Sequence, residues 1–186
     1  MNAPLSLISI RSLATAEAEA RIGELAAILV DAVAHGASVN FLAGFDLIDG
    51  TAFWRGQLPG IADGSRVLLV AEERGAIMGT TVLTLARQPN APYRAEIGKM
   101  LVHSSARRHG LGTRLLSAAE ETARRLGCTL ILLDTQTGSA GEHLYRSCGW
   151  TGYGVVPGHS LTTDGRPAPT TFFYKHLNGA GAKENA

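Results

Sequence analysis

The sequence predicts an α/β fold, with an antiparallel front half feeding one parallel crossover. The run Thr129-Leu130-Ile131-Leu132-Leu133-Asp134 is apolar without alternation, the pattern of a strand buried on both faces of a parallel sheet. A β-rich stretch at 97–102 and an amphipathic one at 111–126 precede it, and strand, helix, strand at that spacing make a βαβ unit. Earlier, the β-rich runs 67–71 and 77–85 are joined by the polar Glu72-Glu73-Arg74-Gly75, which predicts an antiparallel hairpin.

In chain order, residues 5–11 read as a short strand. Residues 17–34 read as a helix, because Ile22, Leu25, Ala26, Leu29 and Val33 recur at helical spacing. A second helix over 47–58 is predicted to end near the breaker pair Pro59-Gly60. On the helix 111–126, Leu115, Ala119, Thr122 and Leu126 share one face, and Glu120/Arg124 and Glu121/Arg125 read as exposed i,i+4 pairs. Gly127 sits where a helix C′ residue belongs. A short helix over 140–147 stops at Cys148-Gly149, and two last strands, 152–157 and 171–177, flank a turn at Asp164-Gly165. No repeat or long linker divides the chain, so residues 1–177 form one domain and the small, polar tail 178–186 is expected to fray. Trp54 and Phe53 read as core, and the small-residue stretch 36–41 as the lining of a ligand side.

Composition narrows the function. With 45% hydrophobic and 18% charged residues in 186, the chain is neither disordered nor membrane-spanning; no apolar run nears the roughly 18 residues a span needs. Seventeen Lys plus Arg against 16 Asp plus Glu leave a formal charge of +1, without the basic excess of a nucleic-acid binder. The only lysines are Lys99, Lys175 and Lys183. Two lone cysteines, Cys128 and Cys148, exclude a disulfide scaffold and carry no CxxC motif. His35, His103, His109, His143, His159 and His176 are scattered with no HxxxH pair, which argues against a metal site. The first ten residues lack a cationic n-region, so the default address is the cytoplasm.

The loop Arg107-Arg108-His109-Gly110-Leu111-Gly112-Thr113 lies between the central strand and its helix. Glycines admit close backbone approach, and a helix N-terminus offers unpaired N–H groups with a positive dipole end, which together suit a phosphate or pyrophosphate. A bland glycine-rich turn entering a helix is the competing account. A dinucleotide fingerprint fails, since the third glycine position holds Leu115 and six residues separate the strand from Gly110. A P-loop fails for want of Gly-Lys-Ser/Thr.

Placed between that strand and that helix, Arg107-x-x-Gly110-x-Gly112 resembles the Q/R-x-x-G-x-G/A motif of the GNAT superfamily of acyl-CoA-dependent N-acetyltransferases, and the order of elements resembles that fold over nearly the whole chain. More narrowly, the stretch from Ala95 through Asp134-Thr135 to Pro157-Gly158 and the Asp164-Gly165 turn is similar to the tabtoxin-resistance type. The residue after the first Arg is usually Gly in such loops; here it is Arg108. The resemblance implies a mixed sheet with antiparallel front strands, a splayed parallel central pair and helices on both faces. It implies that Arg107, Arg108, His109, Gly110, Leu111, Gly112 and Thr113 cradle the CoA pyrophosphate, and that Met100, Leu101 and Val102 pair with the pantetheine arm.

Tyr145, beside Leu144 and near Trp150, reads from the sequence alone as a packing residue; by the resemblance it protonates the departing CoA thiolate, a task that suits a phenol held neutral at pH 7. Glu96 and Asp134 fall at strand ends, where acids are ordinarily solvated, although the apolar run leading into Asp134 favours a more sheltered site. The resemblance gives these two the acceptor amine and its proton. The implied co-substrate is acetyl-CoA with no metal, and the implied partner is a small-molecule amine acceptor, with no nucleic acid or membrane. A homodimer, a protein acceptor and a non-catalytic acyl-CoA sensor stay open. His103 could hydrogen-bond on the acceptor side, though a surface or loop role fits it better.

Overall fold

The computed structural model describes residues 8–177; the predicted strand residues 5–7 and the tail 178–186 lie outside them. The described residues form one seven-stranded sheet in the order β1-β2-β3-β4-β5-β7-β6, where β1 is Ile8–Ser12, β2 Arg66–Glu73, β3 Ala76–Leu85, β4 Arg94–Val102, β5 Leu130–Gln136, β6 Thr151–Leu161 and β7 Pro167–His176. Every pairing is antiparallel except β4 with β5, as the crossover predicts. The β2–β3 hairpin closes on Arg74-Gly75 with both φ positive, 51° and 84°, the turn that matches the twist of the strands it joins.

Helices cover both faces. On one side α1 (Thr15–Ala20), α2 (Ile22–Ala34) and α3 (Leu47–Ala62) bury Leu25, Ile28, Leu29 and Trp54 against Leu68, Val70 and Leu101. On the other, α4 (Leu111–Arg125) and α5 (Ala140–Ser147) bury Leu116, Ala119 and Tyr145 against Ile97, Ile131, Leu133 and Phe173. Each fully buried Leu or Ile is worth about 1.5–3 kcal/mol, so the two stripes hold the sheet from both sides.

Four expectations need correction. The helix read over 17–34 is two, broken at Arg21 (φ −106°), whose side chain turns to Glu24 and Glu72. α3 runs through Pro59 to Ala62, because proline's φ is already helical and its missing N–H forfeits one bond; the Asp63 amide still closes on the Pro59 carbonyl at 3.0 Å. Glu120 is buried rather than exposed, accepting from Trp150 Nε1 at 2.9 Å and from Lys175 Nζ at 2.8 Å; its i,i+4 pair with Arg124 forms at 3.7 Å, but Arg124 also meets Glu121 at 3.4 Å, and Arg125 turns to Thr122 instead of Glu121. The last two strands extend to meet at the turn, Leu161 facing Pro167 and Thr162 bonding Arg166. β6 is an exposed edge, so no burial pattern marks its second half.

Gly79 on β3 is wedged between β4 and α4. A Cβ there would lie 2.7 Å from the Leu101 carbonyl oxygen and 2.9 Å from Leu115 Cδ1. Gly79→Ala should therefore cost about 1–3 kcal/mol, read as a lower urea midpoint at unchanged slope. A wild-type midpoint would contradict the close β3–α4 contact.

Candidate active site at the strand fork

β4 and β5 pair over only Arg94↔Leu130, Ala95↔Ile131 and Glu96↔Leu132, and then part. The cause is on β4. Between Thr80↔Leu101 and Val82↔Gly98 it carries one residue more than β3, and Lys99 takes φ 48° to absorb it. Such a conformation costs a non-glycine residue about 1–3 kcal/mol; the Thr80 hydroxyl donating to the Lys99 carbonyl at 3.0 Å helps hold it. Beyond the fork, the edge of β4 that faces β5 has no partner strand among the described residues, so Met100, Leu101 and Val102 line a gap.

The loop above the gap supplies amides. Among the described residues, the N–H groups of Arg108, His109, Gly110, Leu111, Gly112 and Thr113 have no protein acceptor, and the ladder begins with Arg114 N–H on the Gly110 carbonyl at 3.1 Å. Arg108 (φ 65°) and Gly110 (φ 74°) both adopt left-handed backbone, which gives the family's glycine preference after the first Arg a physical reason. Gly112 lets α4 start against α5, since a Cβ there would lie 3.1 Å from Leu144 Cδ2. Six unbonded amides at the N-terminus of a fifteen-residue helix fit a pyrophosphate.

Arg107 and His103 serve the loop's frame. Arg107 Nε donates to the Val102 carbonyl at 3.0 Å. Asp31 of α2 accepts from the Ser104 amide at 2.8 Å and its hydroxyl at 2.7 Å, with His103 Nε2 at 3.7 Å and Arg107 at 3.8 Å. Burial pushes the Asp31 carboxyl up, but the Ser104 bonds and the histidines bring it below its ordinary value. Sequence reading missed Asp31, which lies 73 positions from its partner.

Tyr145 stands on the far side of the fork. Ser139 caps α5 by accepting from the Glu142 amide at 3.2 Å, and Glu142 bonds Arg146, the Gly138 amide and Thr171, which fixes the helix. The Tyr145 ring packs 6.1 Å from Trp150 and 6.0 Å from Phe173 between centroids. Its hydroxyl is buried, and among the described residues it has no hydrogen-bond partner, which is rare for a buried phenol. Burial, then the Asp134 charge, raises its pKa well above the ordinary value.

Glu96 and Asp134 share the opposite face of the sheet. Ala95, Ile97, Ile131 and Leu133 pack toward α4, so alternation turns Glu96 and Asp134 toward the α1–α3 side. Both are reached by solvent, which corrects the sheltered reading of Asp134. The protein crowding Glu96 still raises its pKa, with the Asp134 charge second. Lys99 also meets this face, its Nζ 5.7 Å from the Phe41 ring centre and 5.2 Å from that of Phe53. Burial lowers its pKa while Asp134 and Glu96 oppose that. Sequence reading named Lys99 only as one of three lysines.

The sequence model of the Acetyltransferase (GNAT) family matches residues 42–150. Aminoglycoside N(6')-acetyltransferase type 1 of Klebsiella aerogenes is 33% identical over 95 residues, 49% of this chain and 62% of that protein, so the chain spans under two thirds of that relative's length. The fold is similar to that of the acetyltransferase yncA of Salmonella typhimurium, solved with its cofactor acetyl-CoA, at TM-score 0.74 and 23% identity over 97% of this chain and all 100% of that one. It is also similar to the ribosomal-protein-alanine N-acetyltransferase of Brucella melitensis, at TM-score 0.72 and 25% identity over 90% and 99% of the two chains. No helix among the described residues is long and apolar enough to cross a membrane.

The electrostatics can be checked directly. In a carboxyl-carbon NMR titration Glu96 should hold its proton to higher pH than an ordinary glutamate, and Asp134→Asn should lower that pKa by removing a like charge. A Glu96 titration that ignores Asp134→Asn would contradict the shared face.

Proposed function

The chain belongs to the Acetyltransferase (GNAT) family, and from that premise we propose that it moves an acetyl group from acetyl-CoA directly to a primary amine of a small molecule. The observation that carries the reading is the fork itself: a gap between β4 and β5 with six unbonded amides above it. In this reading the amides of Arg108 to Thr113 hold the pyrophosphate, Arg107 braces their loop, and the free edge of Met100–Leu101–Val102 bonds the pantetheine arm. The narrower likeness to the tabtoxin-resistance type and a cytoplasmic address are part of the same proposal.

When bound, acetyl-CoA supplies an activated thioester; the chain supplies position and protons. Asp134 and Glu96 hold the acceptor ammonium and take one proton from it, which frees the lone pair that bonds to the carbonyl carbon; nitrogen loses a second proton as the tetrahedral adduct collapses, matching the one that sulfur gains. The raised pKa of Glu96 brings its proton affinity nearer to that of an amine, which favours it as base. Tyr145 sits on the other side, where its hydroxyl gives a proton to sulfur as the carbon–sulfur bond breaks. Its raised pKa keeps it protonated until then. Burial raises the Cys128 thiol, which disfavours a thiolate nucleophile and supports direct transfer. The aminoglycoside enzyme among its relatives supports a small-molecule acceptor.

Mixed with acetyl-CoA and a panel of amino acids, polyamines, aminoglycosides and an alanine-terminated peptide, the protein should release free thiol with at least one small amine. Acetyl-CoA binding without thiol release would instead favour a sensor, and release with the peptide alone a protein N-acetyltransferase. Tyr145→Phe should lower kcat about 100-fold with a smaller change in KM for acetyl-CoA; a variant as fast as wild type would return Tyr145 to packing.

Asp134→Asn should cost about 10²–10³ in kcat/KM for the amine and leave CoA affinity nearly intact, with Glu96→Gln costing the same or less. The double variant should fall far short of the product of the two, since both act on one proton. Simple multiplication would make them independent boundary acids.

A further inference from the structure

We propose that Lys99 reads an anionic group, a carboxylate, carried by the acceptor beside its amine; this rests on the amine-transfer reading above and names the chemistry of the acceptor it selects.

The two described lysines contrast sharply. Lys175 places its three donors on both Glu120 oxygens and the Cys148 carbonyl, each at 2.8 Å. Lys99, at the β4 bulge, makes no hydrogen bond among the described residues and has no carboxylate within 4.0 Å. Its ammonium instead rests over Phe41 and Phe53, whose ring faces favour the charge yet leave the N–H donors open. The stem is half-buried, so a strained backbone, an aromatic seat and a desolvated cation are all held here without a partner to satisfy them. Phe41 and Phe53 pack on the α1–α3 side, the same face that alternation gives Glu96 and Asp134. One positive and two negative groups therefore share one face of the sheet, close enough for the two acids to act on the lysine's charge. An acceptor with an ammonium for the acids and a carboxylate for Lys99 fills all three, and a purely cationic amine leaves the lysine unpaired and repelled.

The competing role for Lys99 is to tune the acids' protonation, which acts on every acceptor alike. Paired acceptors separate the two: α-amino acids against their own carboxamides, and β-alanine against its amide. Wild type should favour the carboxylate member of the best pair by about tenfold or more in kcat/KM, mostly through KM. Lys99→Met should remove most of that preference and Lys99→Arg restore part of it. Comparing the ratio between proteins cancels the different basicity of the two amines, and the wild-type comparison stands even if a variant does not fold. No wild-type preference for the carboxylate, or an equal loss for both members in Lys99→Met, overturns the inference while leaving amine transfer in place. No acetylation of any amine, including those of the wider panel, overturns the amine-transfer reading and this inference with it.

Discussion

One extra residue on β4 governs the site. Lys99 in left-handed backbone breaks the match between β4 and β3, and β4 leaves β5 after three paired residues. An unbroken parallel ladder would fill that edge with β5's own hydrogen bonds and leave nothing for a ligand. The strain of about 1–3 kcal/mol at such a residue persists only where its surroundings over-determine it. Here Thr80, Gly79 packed on Leu101, and the two helical layers do so.

In the proposed reaction the fork also divides the chemistry between the two faces. Tyr145 belongs to the core beneath α4 and α5, dry enough to hold its proton. Glu96 and Asp134 lie on the α1–α3 side, where solvent and an acceptor can reach them. The proposed proton donor and proton acceptors thus stand apart, coupled by the Asp134 charge that Tyr145 and Glu96 both feel. Asp31 ties the start of the loop to α2, so a helix of the face that carries Glu96 and Asp134 also braces the glycine loop.

Much of this was legible in the residues. The apolar run 130–133 marked the parallel strand, although only Ile131 and Leu133 are buried and the face of Leu130, Leu132 and Asp134 stays partly open; the glycines at 110 and 112 together with the strand–helix order marked the loop. What escaped depended on distant partners. Glu120 is an ordinary surface residue by helical spacing until Lys175, 55 positions on, meets it. The bulge at Lys99 is a matter of register between two strands, which no local pattern encodes. Pro59 carries a breaker's signature that the last turn of a packed helix tolerates. Tyr145 reads from the residues alone as a packing side chain and was singled out only through the resemblance; burial then reveals that its hydroxyl lacks a partner among the described residues.

The proposed function turns on the fork and the loop above it holding CoA. Backbone nitrogen–proton NMR during a titration with coenzyme A tests it most directly. The amides of Arg108 to Thr113 should move downfield as they gain phosphate acceptors, together with shifts along Ile97 to Val102, while the paired foot of the fork at Arg94 and Ala95 stays still. Saturable shifts confined to other parts of the chain, with these amides unmoved, would contradict the account.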